Sequence, residues 1–146
     1  MSTPASAPQY VDGEDGVRRC YALMAQLRPH LASEDEFVAR WCRQAAAGYR
    51  LLALFDGPQV VALAGFRVQE NLLYGRHLYV DDLVSDEALR GGGHGGRLMS
   101  RLKEEARGPG CGRLVLDTPL SNSLGHRFYF RNGLLATSLR FSIAIA

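Results

Sequence analysis

Five glycines fall within the six residues Gly91, Gly92, Gly93, His94, Gly95 and Gly96, directly after Arg90. Each glycine costs a helix up to about 1 kcal/mol against alanine, so helix stability does not explain them. Their use is conformational: a backbone that takes positive φ or lets a ligand approach closely. A glycine-rich turn that opens a helix points unpaired N–H groups and the positive helix end at an anion, which is how phosphate is commonly held. His94 reads as an exposed spacer within the turn. Two other groups carry proton chemistry. Asp81 and Asp82 are adjacent, and on a strand their side chains point to opposite faces, so only one reaches a given site. His126 and Tyr129, three residues apart, share a helix face, and His77 is a further candidate base.

Several phosphate ligands fit such a turn. Gly91-x-Gly93-x-x-Gly96 satisfies the dinucleotide fingerprint, and Asp117 follows at about the twenty residues it asks for. That would make the protein a nicotinamide-dependent oxidoreductase. Against it, the preceding strand ends near Val84, well short of the glycines, and the strands upstream form a meander. A Walker loop is excluded because no Gly-Lys-Ser/Thr follows.

The elements that must hold these residues are readable from spacing. Residues 1–8 are small, polar and Pro-containing, a loose tail, and 9–146 read as one domain. Val17, Cys20, Tyr21, Met24 and Leu27 follow helical spacing, with Pro29 ending the helix near Arg28. Ser33 and Glu36 form a capping box for a second helix, with Phe37, Val38, Trp41, Cys42 and Ala45 on one face and Gly48 as its stop. Strands are expected at Arg50–Phe55, Val60–Val68 and Arg76–Val84, with a possible earlier one at Gln9–Val11. A helix carrying Leu98, Met99, Leu102 and Ala106 follows the glycines, then a strand at Arg113–Leu116 and a helix from Asn122 to Asn132 capped by Gly133. Leu135, Leu139, Phe141, Ile143 and Ile145 alternate with polar residues, a half-buried last strand. The order (β)ααβββαβαβ gives an α/β fold (α+β in the looser sense) with a mixed central sheet flanked by helices.

Composition bounds the rest. The 146 residues are 47% hydrophobic, enough for a core without disulfides. Seventeen Lys and Arg against fifteen Asp and Glu leave a net charge of +2, too little for a nucleic-acid partner. No apolar run approaches a membrane span, and the N-terminus lacks the pattern of a secretory signal. Cys20, Cys42 and Cys111 are far apart and read as free thiols, the first two buried in apolar helical patterns, which suits a cytoplasmic location. No metal is expected.

The stretch from Tyr79 to Leu98 resembles the acyl-CoA-binding core of the GNAT superfamily of N-acetyltransferases. Asp82-Leu83-Val84, a short turn, and then Arg90-x-x-Gly93-x-Gly95-x-x-Leu98 lie between a strand and a helix, as that family requires. Asn122 and the run from His126 through Phe128, Tyr129 and Gly133 to Leu134 are similar to the family's tyrosine helix, with Leu134 in place of the usual Phe. The resemblance implies an enzyme that transfers acetyl from acetyl-CoA to a primary amine on a small molecule or peptide. In it, backbone groups of Leu83, Val84 and Ser85 line the pantetheine arm, and the turn from Arg90 to Arg97 cradles the pyrophosphate. Asn122 and Phe128 meet the ligand from the other side. Tyr129 protonates the leaving thiolate, and Asp82 is the favoured base. Arg97, Arg101, Arg127 and Arg131 are candidates for the outer phosphate. A noncatalytic acyl-CoA binder is the alternative. The unpartnered last strand invites a homodimer.

Overall fold

The computed structural model describes residues 7–89 and 91–146. Arg90 and most of the expected tail lie outside the described residues. Two compact units make up the chain, one ending at Val115 and one spanning Leu116–Ala146.

The first unit is built on a sheet of order β1-β2-β3-β4-β5. Its strands are β1 (Gln9–Tyr10), β2 (Arg50–Asp56), β3 (Gln59–Asn71), β4 (Gly75–Ser85) and β5 (Arg113–Leu116). The first four pair antiparallel, and β5 joins through a helical crossover, so the sheet is mixed. Antiparallel pairing just upstream of the glycines is the reverse of a dinucleotide-binding unit, which needs parallel strands. Helices α1 (Glu14–Arg19), α2 (Tyr21–Leu27) and α3 (Glu34–Ala46) precede β2, and α4 (His94–Arg107) links β4 to β5.

Val17, Leu23, Met24, Phe37 and Val38 of the first three helices pack with Leu51, Ala53, Leu63 and Val84 in one core. Helix α4 contacts β2, β3 and β4 and buries Leu98, Met99, Leu102 and Ala106. Residues of the other parity, Leu52, Leu54, Ala62 and Ala64, are buried as well. Burial of both faces explains why Val60 to Phe66 reads as a continuous apolar run instead of an alternation.

Local signals set the boundaries. Ser33 Oγ accepts from Glu36 N–H (3.1 Å), while Glu36 reaches back to Ala32 N–H (2.7 Å). Gly48, at φ 99°, stops α3. The single helix expected before Pro29 is interrupted at Cys20, which separates α1 from α2. Cys20 is buried, but Cys42 is exposed; the buried side of α3 is confined to Phe37 and Val38 with Trp41 half-buried beside them.

In the second unit, α5 (Ser123–Arg131) is closed at both ends. Asn122 Oδ1 accepts from Gly125 N–H (3.1 Å). At the other end Gly133 N–H donates to Phe130 O and Leu134 N–H to Tyr129 O (3.1 and 3.0 Å), a Schellman stop with Gly133 at φ 88°. The expected last strand is not formed: residues 134–146 carry no regular structure. Leu135, Leu139, Phe141, Ile143 and Ile145 are 64–90% exposed. Alternation defines a face, whereas a strand also needs a ladder along one edge, and among the described residues none is supplied.

Candidate functional site

The glycine turn has the shape that its composition implied. Gly91 and Gly93 sit at φ 93° and 79°, and nothing stands within 4 Å of where their Cβ atoms would be. Gly93 is the N-cap of α4, and among the described residues no side chain caps that end. The first-turn N–H groups of such a helix lack partners within the helix itself. His94 is half-buried and no mere spacer: its Nδ1 is enclosed and has no hydrogen-bond partner among the described residues.

The end of β4 leads into this turn. Ala62, Leu63 and Ala64 of β3 stand opposite Ser85, Val84 and Leu83. On the other side β5 is only four residues long against eleven in β4. It enters beside the beginning of β4, where Gly112 N–H donates to Arg76 O (3.0 Å). Leu83–Ser85 thus have β3 on one edge and lie beyond the reach of β5 on the other. Such an edge offers N–H and C=O groups to an amide-bearing ligand.

Just before that stretch the β3–β4 register shifts. Gly65 faces Asp82 and Phe66 faces Val80, so Asp81 is the extra residue of a bulge. The bulge breaks the alternation on which an opposite-face reading of the two acids depends. Asp81 and Asp82 line one cavity of ≈ 310 Å³ together with Met24, Arg28, Phe37 and Trp41. Asp82 accepts from Arg28 Nε (2.9 Å) through one oxygen and from Tyr49 Oη (2.8 Å) through the other. Arg67 holds Asp81 with two bonds, 3.0 and 2.6 Å. Burial first, and then the facing Asp82 carboxylate, push the Tyr49 phenol well above the ordinary tyrosine range. Tyr49 therefore remains the donor of that pair.

Within the second unit, Tyr129 is half-buried on α5 with Phe128 edge-on to it, centroids 5.5 Å apart. Burial raises the Tyr129 pKa, which favours the protonated phenol. The Asn122 side chain caps α5 and donates to Thr118 Oγ1 (3.0 Å). His126 Nε2 lies 3.0 Å from Pro119 O, a structural contact.

The profile of the Acetyltransferase (GNAT) family matches residues 17–134. The chain belongs to the GNAT family. An uncharacterized N-acetyltransferase of Bacillus subtilis, YhdJ, is 30% identical over 109 residues, 75% of this chain and 77% of that one. The aminoalkylphosphonate N-acetyltransferase of Salmonella typhimurium is 33% identical over 130 residues, 86% and 82% of the two chains. Among solved structures, the aminoglycoside acetyltransferase AAC(6')-Iy, in complex with a CoA-linked bisubstrate analog, superposes with a TM-score of 0.85. It is 12% identical, and the match covers 99% of each chain. At that identity the likeness concerns the fold.

As a GNAT protein the chain is an acetyl-CoA-dependent acyltransferase. Its own residues fit that ligand: an uncapped helix start, two positive-φ glycines with open space above them, and a β4 edge that β5 does not cover. Arg90 lies outside the described residues. Arg101 is tied to Glu105 (2.8 Å) and to Pro8 O (2.8 Å), which gives it a structural task. Two pocket residues have no counterpart in the sequence reading: Arg28 and Tyr49, partners of Asp82 from 54 and 33 residues away. Nothing local marks Arg28. The only sign for Tyr49 is an aromatic placed directly after the Gly48 helix stop.

Among the described residues no helix is long and apolar enough to cross a membrane.

Proposed function

We propose that this GNAT protein transfers acetyl from acetyl-CoA to the primary amine of a small-molecule acceptor, by direct attack of nitrogen on the thioester. The observation that carries the reading is the continuity of β4. Asp81 and Asp82 line the cavity, and the next residues, Leu83–Ser85, offer a free edge that leads to the glycine turn. An acceptor in the cavity and an acyl chain along that edge meet at one point of the strand.

The glycine turn binds pyrophosphate through its N–H groups. An N–H of Leu83, Val84 or Ser85 donates to the thioester carbonyl oxygen as negative charge develops there. An alkylammonium has a pKa of about 10.4 and must lose a proton before attack. Asp82 attracts the ammonium and, directly or through water, takes that proton; its oxygens have lone pairs beyond those facing Arg28 and Tyr49. The C–N bond forms and the C–S bond breaks; Tyr129 gives its phenolic proton to the departing thiolate and regains one, directly or through water, from the nitrogen as it becomes the amide. A homodimer in the cytoplasm belongs to the same proposal, and the exposed apolar residues of 134–146 support the dimer.

The cavity volume sits at the small end of the usual ligand range, which supports a small molecule over a polypeptide chain. The relatives' names point the same way: aminoalkylphosphonate, and glucosamine 6-phosphate for a rice enzyme 36% identical over 102 residues.

Thermal-shift titration with acetyl-CoA, CoA and NAD, followed by thiol-release assays on an amine panel, tests the reading. Stabilisation by both CoA species and amine-dependent thiol release are expected. Stabilisation without thiol release for any amine would leave a noncatalytic acyl-CoA binder.

A further inference from the structure

The cavity has a chemical polarity along its depth. The acids available to a cationic acceptor are all matched by arginine. Glu34 and Asp35 face Arg18 (3.9 and 2.7 Å), and Glu36 faces Arg40 (3.1 Å). Asp81 faces Arg67 (2.6 Å), and Asp82 faces Arg28 (2.9 Å). Asp81 and Asp82 are recessed, their side chains 17% and 16% exposed, and Tyr49 beside Asp82 is buried.

The rim is different. His30, Arg40 and Gln44 line the same cavity and are exposed, with the half-buried indole of Trp41 among them. All four carry N–H donors, Arg40 and Trp41 donors alone. A guanidinium carries five N–H groups in a fork suited to planar oxyanions, and Arg40, whose Nη2 contacts Glu36, is a 44% exposed side chain with further N–H groups to offer. Between rim and floor the walls are Met24, Leu31, Phe37 and Trp41, which suit a short carbon chain.

Resting on the acetyltransferase reading above, we infer that the acceptor is a small zwitterion: a primary amine whose far end is a carboxylate or a phosphate-type oxyanion. The amine enters first and meets Asp82. The anion stays at the rim on Arg40 and His30. Among the described residues the only acids lining the cavity are Asp81 and Asp82, so a molecule with a second cationic end finds no carboxylate among the rim side chains that line it, whereas an anionic end finds the N–H groups of Arg40, His30 and Gln44.

Calorimetry on the intact protein tests this with four probes: γ-aminobutyrate, phosphoethanolamine, aminobutanol and putrescine. The two anionic amines are expected to bind at least about tenfold tighter than aminobutanol or putrescine, a difference of about 1.4 kcal/mol. Comparing γ-aminobutyrate with phosphoethanolamine separates carboxylate from phosphate. Arg40→Gln and His30→Asn, both at exposed positions, should each shrink the anionic preference severalfold. Equal binding of all four, preference for putrescine, a preference untouched by both variants, or no binding of any probe would overturn the inference. The same four run in the thiol-release assay keep the two claims apart. An anionic preference in binding with no acetylation counts against the enzyme reading alone, and acetylation without the preference counts against the zwitterion alone.

Discussion

Gly65 leaves empty the space that the phenol of Tyr49 fills; a Cβ on Gly65 would coincide with the Tyr49 hydroxyl and ring carbons. Gly65 is also the residue opposite Asp82, at the point where the β3–β4 register shifts. The missing side chain thus lets Tyr49 lie across β3 and hold one oxygen of the carboxylate. Gly65→Ala must displace a buried ring. Overpacking of this kind is expected to cost about 1–3 kcal/mol in urea unfolding. Acceptor KM should rise while CoA affinity holds. Stability within about 0.5 kcal/mol of the parent would show that Tyr49 yields freely.

The alkaline limb of stability offers a second check. Tyr49 is raised well above the ordinary tyrosine value by burial and by Asp82, and burial pushes the Cys20 thiol up to about 12. Both groups keep their protons longer in the folded state than in the unfolded one. Their stabilising contribution is complete below the unfolded pKa values, near 9 and 10, and declines as pH rises past them. Tyr49→Phe should flatten the loss above about pH 10. At neutral pH it should cost about 1.5–3 kcal/mol, the range for a hydrogen bond to a charged group. Chemical unfolding at several pH values measures both, and an unchanged alkaline slope would remove Tyr49 from it.

Gly93 caps α4 at a positive φ that a β-branched residue resists. Gly93→Val, and likewise Gly95→Val, are expected to abolish acetyl-CoA binding with the fold retained. Calorimetry against far-UV circular dichroism separates the two effects; unchanged CoA affinity in both folded variants would sink the phosphate assignment.

Tyr129→Phe keeps the ring and removes the proton donor. If the phenol protonates the thiolate, turnover falls by about 10²–10⁴-fold with little change in acetyl-CoA affinity. If it only packs beside Phe128, the cost is at most about 1 kcal/mol of stability. Turnover within about threefold of the parent would take Tyr129 out of the mechanism.

The exposed Leu135, Leu139, Phe141, Ile143 and Ile145 lead us to expect a dimer in solution. Light scattering on the full chain and on Phe141→Ser with Ile143→Ser should give a dimer and a monomer. A monomeric parent at high concentration would refute it.

The sequence by itself determined what depends on neighbours along the chain. Periodicity placed the helices and the first strands, Ser33 with Glu36 and Gly133 marked helix ends, and the glycines of 91–96 announced a turn with positive φ, found at Gly91 and Gly93. Each is a short-range effect of sterics or hydrogen bonding, so residue order suffices. Tertiary structure decided what depends on distant partners. The bulge at Asp81 arises from the register of two strands, and it turns two acids read as opposed into lining of one cavity. Arg28 and Tyr49 reach Asp82 across 54 and 33 residues, which no local pattern signals. The alternation of 135–145 was legible, but a strand requires a neighbour along its edge, and a sequence names the face without naming the neighbour.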